Sequence, residues 1–111
     1  EDAISVFRNL GDATFARRVA VPAGLNPNFH ALGDWNGDGK LDLAALDYSR
    51  ALVSLLLNDG AGSFSPSEQM VAAVKQSYGI GAADLDSDMD SDLIVSNYHG
   101  NSVTVYLNLC R

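Results

Sequence analysis

A chain of 111 residues, 47% of them hydrophobic and 19% charged, has the composition of one folded domain and is too short for two sizeable cores. Its net charge of −7 and thin basic set, Arg8, Arg17 and Arg18, argue against nucleic acid as a partner, and no run of about 18 apolar residues exists to span a membrane. Eight of the 14 acids, Asp34, Asp38, Asp42, Asp84, Asp86, Asp88, Asp90 and Asp92, fall in two short windows, so the acidity marks two places and not a whole surface.

Taken in chain order, Ile4 and Val6 alternate with Ser5, the period-two pattern of a strand with one buried face. Pro22-Ala23-Gly24 then signals a turn. A strand over 29–33 leads into the first acidic loop, a second follows over 41–47, and a third over 52–58, where Val53 and Leu55 alternate with Ser54. The turn Asn58-Asp59-Gly60-Ala61-Gly62 precedes a fourth strand over 64–73. After the second acidic loop and the turn Tyr98-His99-Gly100-Asn101, Val103, Val105 and Leu107 alternate with Thr104 and Tyr106, again predicting one buried face. No useful helical period appears, so the fold class is all-β.

The sequence repeats. Phe7 to Phe15 align with Leu56 to Phe64 at an offset of 49, and Asp34 with Asp84 and Asn58 with Asn108 at 50. A period of about fifty residues means stacked supersecondary units. Four antiparallel strands per unit make the blade of a β-propeller. The division is a partial blade over 1–24, a complete blade over 25–74 and a partial blade over 75–111. The strands then number nine, with incomplete blades at both ends. An incomplete blade exposes an edge of unpaired N–H and C=O groups, which invites another chain. A piece of a longer propeller, a ring closed by several copies and an open filament all fit; because nine is not a multiple of four, a ring leaves one strand per chain in surplus.

Within the acidic windows, Asp34, Asn36, Asp38 and Asp42 take positions 1, 3, 5 and 9, and Lys40 at position 7 offers its backbone carbonyl. Asp84, Asp86, Asp88, Asp90 and Asp92 repeat the pattern. Alternating hard oxygens on a tight turn curl around one Ca²⁺, which takes about six to eight of them, so two Ca²⁺ sites are expected. Gly37 and Gly39 supply the positive φ that such a reversal needs; Met89 stands where the first loop has Gly39. The bland alternative is a pair of solvated Asp/Asn/Gly turns, but two matches in register with the repeat, each running into an apolar strand, weigh against it. An EF-hand fails because position 12 is Ala45 in one loop and Val95 in the other, and its flanking helices are absent.

The run Phe29 to Asp34, the segment Asn36-Gly37-Asp38-Gly39-Lys40-Leu41-Asp42-Leu43 and the segment Leu55 to Phe64 together resemble the FG-GAP/VCBS repeats of integrin α-like β-propellers. The resemblance covers nearly the whole chain. It implies a Ca²⁺-binding blade of a secreted or cell-surface propeller, used in adhesion, in lectin-like sugar binding or as an accessory module of a secreted enzyme. It also implies metal ligation by the ten residues Asp34 to Asp42 and Asp84 to Asp92 named above, with Lys40 and Asp90 contributing backbone oxygen. Such propellers usually have about seven blades, and here there is material for roughly two.

Little else carries chemistry. His30 reads as a strand residue near the core, whereas His99, in a turn with Tyr98 and Asn101, can touch a ligand. Tyr48 and Tyr98 are repeat-equivalent, which points to blade packing or a repeated contact surface. Trp35 is expected to be partly exposed, stacking on a sugar or packing on a neighbouring blade. Cys110 has no internal partner, being the sole cysteine. No nucleophile–base motif is present, so a non-catalytic module is expected, in the extracellular setting that the resemblance implies. Its expected partners are other protein chains, copies of itself among them, and carbohydrate.

Overall fold

The computed structural model describes residues 2–24, 26–73 and 77–109, and over 68–72 the backbone alone. Leu25, Val74, Lys75 and Cys110, on which the blade divisions and the thiol reading fall, lie outside the described residues. The described residues contain nine strands and no helix: β1 (Ala3–Val6), β2 (Val19–Pro22), β3 (Pro27–Gly33), β4 (Asp42–Asp47), β5 (Leu52–Asn58), β6 (Phe64–Ala72), β7 (Ser77–Ala83), β8 (Asp92–Asn97) and β9 (Ser102–Tyr106). They form three antiparallel sheets in sequence order, β1-β2, β3-β4-β5-β6 and β7-β8-β9. The architecture is therefore one full four-stranded blade flanked by two incomplete ones, the all-β arrangement read from the sequence.

The registers repeat as the sequence does. Gly33 pairs with Asp42 and Ala83 with Asp92; His30 pairs with Ala45 and Ile80 with Val95. The third strands follow suit, with Leu43 opposite Leu56 and Leu93 opposite Tyr106. Small differences from the sequence reading sit at strand ends: β3 starts at Pro27, two residues early, and β4 starts at Asp42, one residue late.

The sheets stack face to face through two apolar clusters. Val21 and Ala23 meet Leu43, Ala45 and Leu56, with Ile4, Val6 and Phe64 packed against them. On the other face of the same blade, Ala44, Leu46 and Val53 meet Leu93, Val95 and Trp35. Every residue of β4 is buried because a sheet covers it on each side. Burying Leu46, Val53 or Leu56 contributes about 1.5–3 kcal/mol each.

Two expectations are corrected at this level. Val103, Val105 and Leu107 are exposed, at 61%, 50% and 50%, instead of forming the buried face of their strand. Their counterparts Val53 and Leu55 point at the following sheet, and among the described residues nothing follows β9. His30 is exposed on β3 and does not belong to the core.

One glycine is fixed by its surroundings. Gly24 has a φ of 89°, and a Cβ there would stand 2.8 Å from an Asp47 carboxylate oxygen. Asp47 is fully buried and accepts from the Arg50 backbone N–H at 2.9 Å and its Nε at 2.7 Å, so a side chain at 24 would push into the buried carboxylate of an ion pair whose guanidinium is exposed.

Candidate metal centres in two equivalent loops

Both acidic loops wrap around their first aspartate. Asp34 accepts the backbone N–H groups of Gly37 (2.9 Å), Asp38 (3.2 Å) and Gly39 (2.7 Å). Asp84 accepts those of Ser87 (2.8 Å), Asp88 (3.2 Å) and Met89 (2.9 Å). Each loop then takes a smaller turn, Lys40 N–H donating to Asp38 at 2.9 Å and Asp90 N–H to Asp88 at 3.0 Å. This is Asx-turn chemistry used in series: short carboxylates satisfy amides that the reversing backbone cannot pair with itself.

The last aspartate of each loop has a different role. Asp42 and Asp92 are completely buried. Asp42 accepts from Trp35 N–H at 3.0 Å and from Asn58 N–H at 2.9 Å, tying the loop's start to the end of β5. Asp92 accepts from Leu85 N–H and Asn108 N–H, both at 2.7 Å. The asparagines close the same stitch, Asn58 Nδ2 donating to the Leu41 carbonyl and Asn108 Nδ2 to the Trp35 carbonyl. The second of these crosses from one blade to the next. Spacing alone does not disclose the staple, although the alignment of Asn58 with Asn108 is its trace in the sequence.

The loop backbones also match where the residues do not. Gly37 and Gly39 have φ values of 76° and 81°; Ser87 and Met89, at the same positions, have 65° and 73°. The second loop therefore holds two side chains in the left-handed region, at a cost of about 1–2 kcal/mol each.

Carboxylates converge in both loops. Oxygens of Asp34, Asp38 and Asp42 lie within 4.8 Å of one another, as do those of Asp84, Asp86 and Asp88. Of the remaining sequence-predicted ligands, Asn36 donates its amide to Asp38 at 3.4 Å, and Lys40 sets its ammonium 3.7 Å from the same carboxylate. Asp90 engages through its backbone N–H, and Asp92 through the staple. The electrostatics differ between loops. Asp38 is held below the ordinary carboxylate range, chiefly by the Lys40 N–H and then by its ammonium. Asp86 is pushed up by lost hydration and by the hydrogen bond and charge of Asp88, with Asp92 adding to the effect. An all-oxygen cluster of three carboxylates fits a hard divalent cation, whose charge relieves this mutual repulsion.

Trp35 is buried at 8% exposure, not partly exposed, because the sheet after it covers the indole as part of the core between two blades. Its Nε1–H is buried with no hydrogen-bond acceptor among the described residues, which costs about 1–3 kcal/mol. At the far end of the strands from the acidic loops, the repeat-equivalent Tyr48 and Tyr98 both pack on Tyr78, at ring separations of 5.5 and 5.3 Å. The Tyr48 and Tyr78 hydroxyls lie 3.2 Å apart, and His99 extends the row from Tyr98 at 5.0 Å. That bond and lost hydration raise the Tyr78 phenol. The counterpart of Tyr78 one repeat earlier is Asn28, so no repeated tyrosine marks it and the sequence reading missed it as the middle of the row.

Neither a curated protein nor a solved structure matches the chain. The FG-GAP-like repeat family matches it twice, over residues 1–45 and 34–95, and the overlapping matches cover both acidic loops, the first two sheets and the third sheet as far as β8. On that match and on the repeated blades that carry it, the chain belongs to the FG-GAP-like repeat family.

Proposed function

We propose that the chain is a non-catalytic, calcium-binding propeller module of the extracellular space, which docks other polypeptide chains through its incomplete blades. The observation that carries the reading is the convergence of three carboxylates in each of two repeat-equivalent loops. A bound Ca²⁺ would supply charge neutralisation at each loop; Asp34, Asn36, Asp38 and Asp42 would hold one ion with the Lys40 carbonyl, and Asp84, Asp86, Asp88 and Asp92 the other with the Asp90 carbonyl. The chain's own part is to hold those oxygens in place, which the Asp34 and Asp84 wraps and the buried staples do. With the loops fixed, the start of β4 and the end of β5 are fixed as well, and the edges offered to a partner keep their register. Calcium modules of extracellular proteins commonly bind at about 10⁻⁴ to 10⁻³ M, which suits an external supply.

Calorimetric titration with Ca²⁺ tests this directly. The expected result is two bound ions per chain, reduced to one by Asp84→Ala with Asp86→Ala. Absence of heat at millimolar Ca²⁺, with both loops intact, overturns the reading. The exposed Tyr78, Tyr98 and His99 row favours a second reading, a stacking surface for a sugar ring. Glycan binding lost on Tyr98→Ala and unaffected by chelation would favour that reading over the first.

A further inference from the structure

Asn36 and Gly37 form the sole Asn-Gly dipeptide of the chain, and each of the other seven asparagines is followed by a residue that carries a side chain. Such a pair is chemically self-reactive. Closure of a five-membered ring joins the Gly37 backbone nitrogen to the Asn36 side-chain carbon, and glycine puts no Cβ in the way. Both residues are exposed in the first acidic loop, and a Cβ placed at Gly37 would meet nothing within 4 Å, so water reaches the pair freely.

The loop holds both reacting groups on other partners. Gly37 N–H donates to Asp34 Oδ1 at 2.9 Å, while Asn36 Oδ1 accepts from Asp38 N–H at 3.3 Å and its Nδ2 donates to the Asp38 carboxylate at 3.4 Å. The last two bonds are long, so the Asp34 bond is the main restraint. Solvent-exposed backbone bonds of this kind open locally at little free-energy cost, and each opening frees the Gly37 nitrogen.

We infer that Asn36-Gly37 is a self-acting modification site, at which Asn36 loses its amide and becomes aspartate or isoaspartate at a rate set by the Asp34 wrap. The Gly37 nitrogen gives its proton to water and bonds to Asn36 Cγ; the Cγ–Nδ2 bond breaks, and that nitrogen takes up a proton and leaves as ammonia. Water then opens the cyclic imide at either carbonyl. Cleavage at Cγ gives aspartate; cleavage at the backbone carbon gives isoaspartate, whose main chain runs through the former side chain and is one methylene longer. Water is the only co-reactant, and nothing is oxidised or reduced.

The second loop shows that the fold accepts the first product. Its residue equivalent to Asn36 is Asp86, and Asp84 still accepts from Ser87 N–H at 2.8 Å. Conversion to aspartate therefore gives the first loop the acids that the second already carries at positions 1, 3 and 5. Isoaspartate does the opposite, since the longer main chain draws Gly37 N–H away from Asp34 and undoes the wrap. The inference goes beyond the proposed calcium binding and stands without it.

The test incubates the whole chain in chelator at neutral pH and physiological temperature, and follows it by peptide mass spectrometry with fragmentation to place each amide lost. The expected result is loss at Asn36 ahead of every other asparagine, with both products present, and about tenfold faster loss there in the Asp34→Ala protein. Asn101, exposed in a turn outside the loop, is the internal reference for general loosening of that variant. Acceleration confined to Asn36 supports the proposal. An Asn36 amide retained over weeks, loss first at another asparagine, or acceleration shared equally by Asn101 overturns it. Calcium titration of the fresh protein is a separate measurement, and its failure would remove the calcium reading while leaving this one standing.

Discussion

Asp42 and Asp38 are both loop carboxylates within reach of one cluster, yet they have different physical jobs. Asp42 is buried and meets two backbone amides, so Asp42→Ala should strand both and cost about 2–5 kcal/mol in urea unfolding without calcium, whereas exposed Asp38 should give a far smaller change. Met89 is 92% exposed at a φ of 73°, so Met89→Gly relieves strain without losing a contact. We expect about 1 kcal/mol of stabilisation and tighter calcium binding at the second loop; an unchanged affinity sinks the strain argument. Asp86 gives a pH test. Its folded pKa is raised, so the folded state holds the proton more tightly than the unfolded chain, and the penalty appears as pH rises through and above the ordinary carboxylate range. Asp12, Asp38 and Asp59 are lowered and act oppositely, their stability being lost as pH falls. In chelator, the unfolding midpoint of Asp86→Asn should therefore equal the parent's in strong acid and exceed it increasingly towards neutrality. The positions of these acids are plain in the sequence. The two-amide role of Asp42 and Asp92 is not, because it depends on where the third strand ends in space.

At the scale of elements, β5 and β9 carry nearly the same alternation with opposite results. Val53 is fully buried and its counterpart Val103 is 61% exposed, since a sheet packs against one and none of the described sheets packs against the other. Periodicity reveals that a strand has an apolar face; it does not reveal whether anything covers that face. Val53→Thr should accordingly cost about 1–3 kcal/mol by placing a hydroxyl in the core, and Val103→Thr should cost under about 0.5 kcal/mol. Equal effects on the thermal midpoint would contradict the arrangement of the sheets. Strand order was legible from turn signals and alternation, and β5 falls where they put it. Trp35 was misjudged for the reason Val103 was: a residue flanked by loop signals looks exposed until the next blade is laid over it.

For the whole molecule, the sheet series of two, four and three strands leaves apolar surface at both ends, with Phe7 and Phe15 exposed on one side and Val103, Val105 and Leu109 on the other. Exposed patches of this kind beside open strand edges are what the proposed docking of other chains would cover. Light scattering should give a mass above that of one chain in calcium and a lower one in EGTA. A single-chain mass in both would contradict assembly under calcium control. The Asp42 staple has a consequence for how such a molecule can change in length. Carboxylate, loop amide and strand-end amide all lie between Trp35 and Asn58, and the Asp92 staple likewise lies between Leu85 and Asn108. Each unit thus carries its own wiring, and a gene duplication that copies the segment copies the wiring whole. What has to match from one unit to the next is then only the apolar packing between sheets and the Asn108 amide on the Trp35 carbonyl.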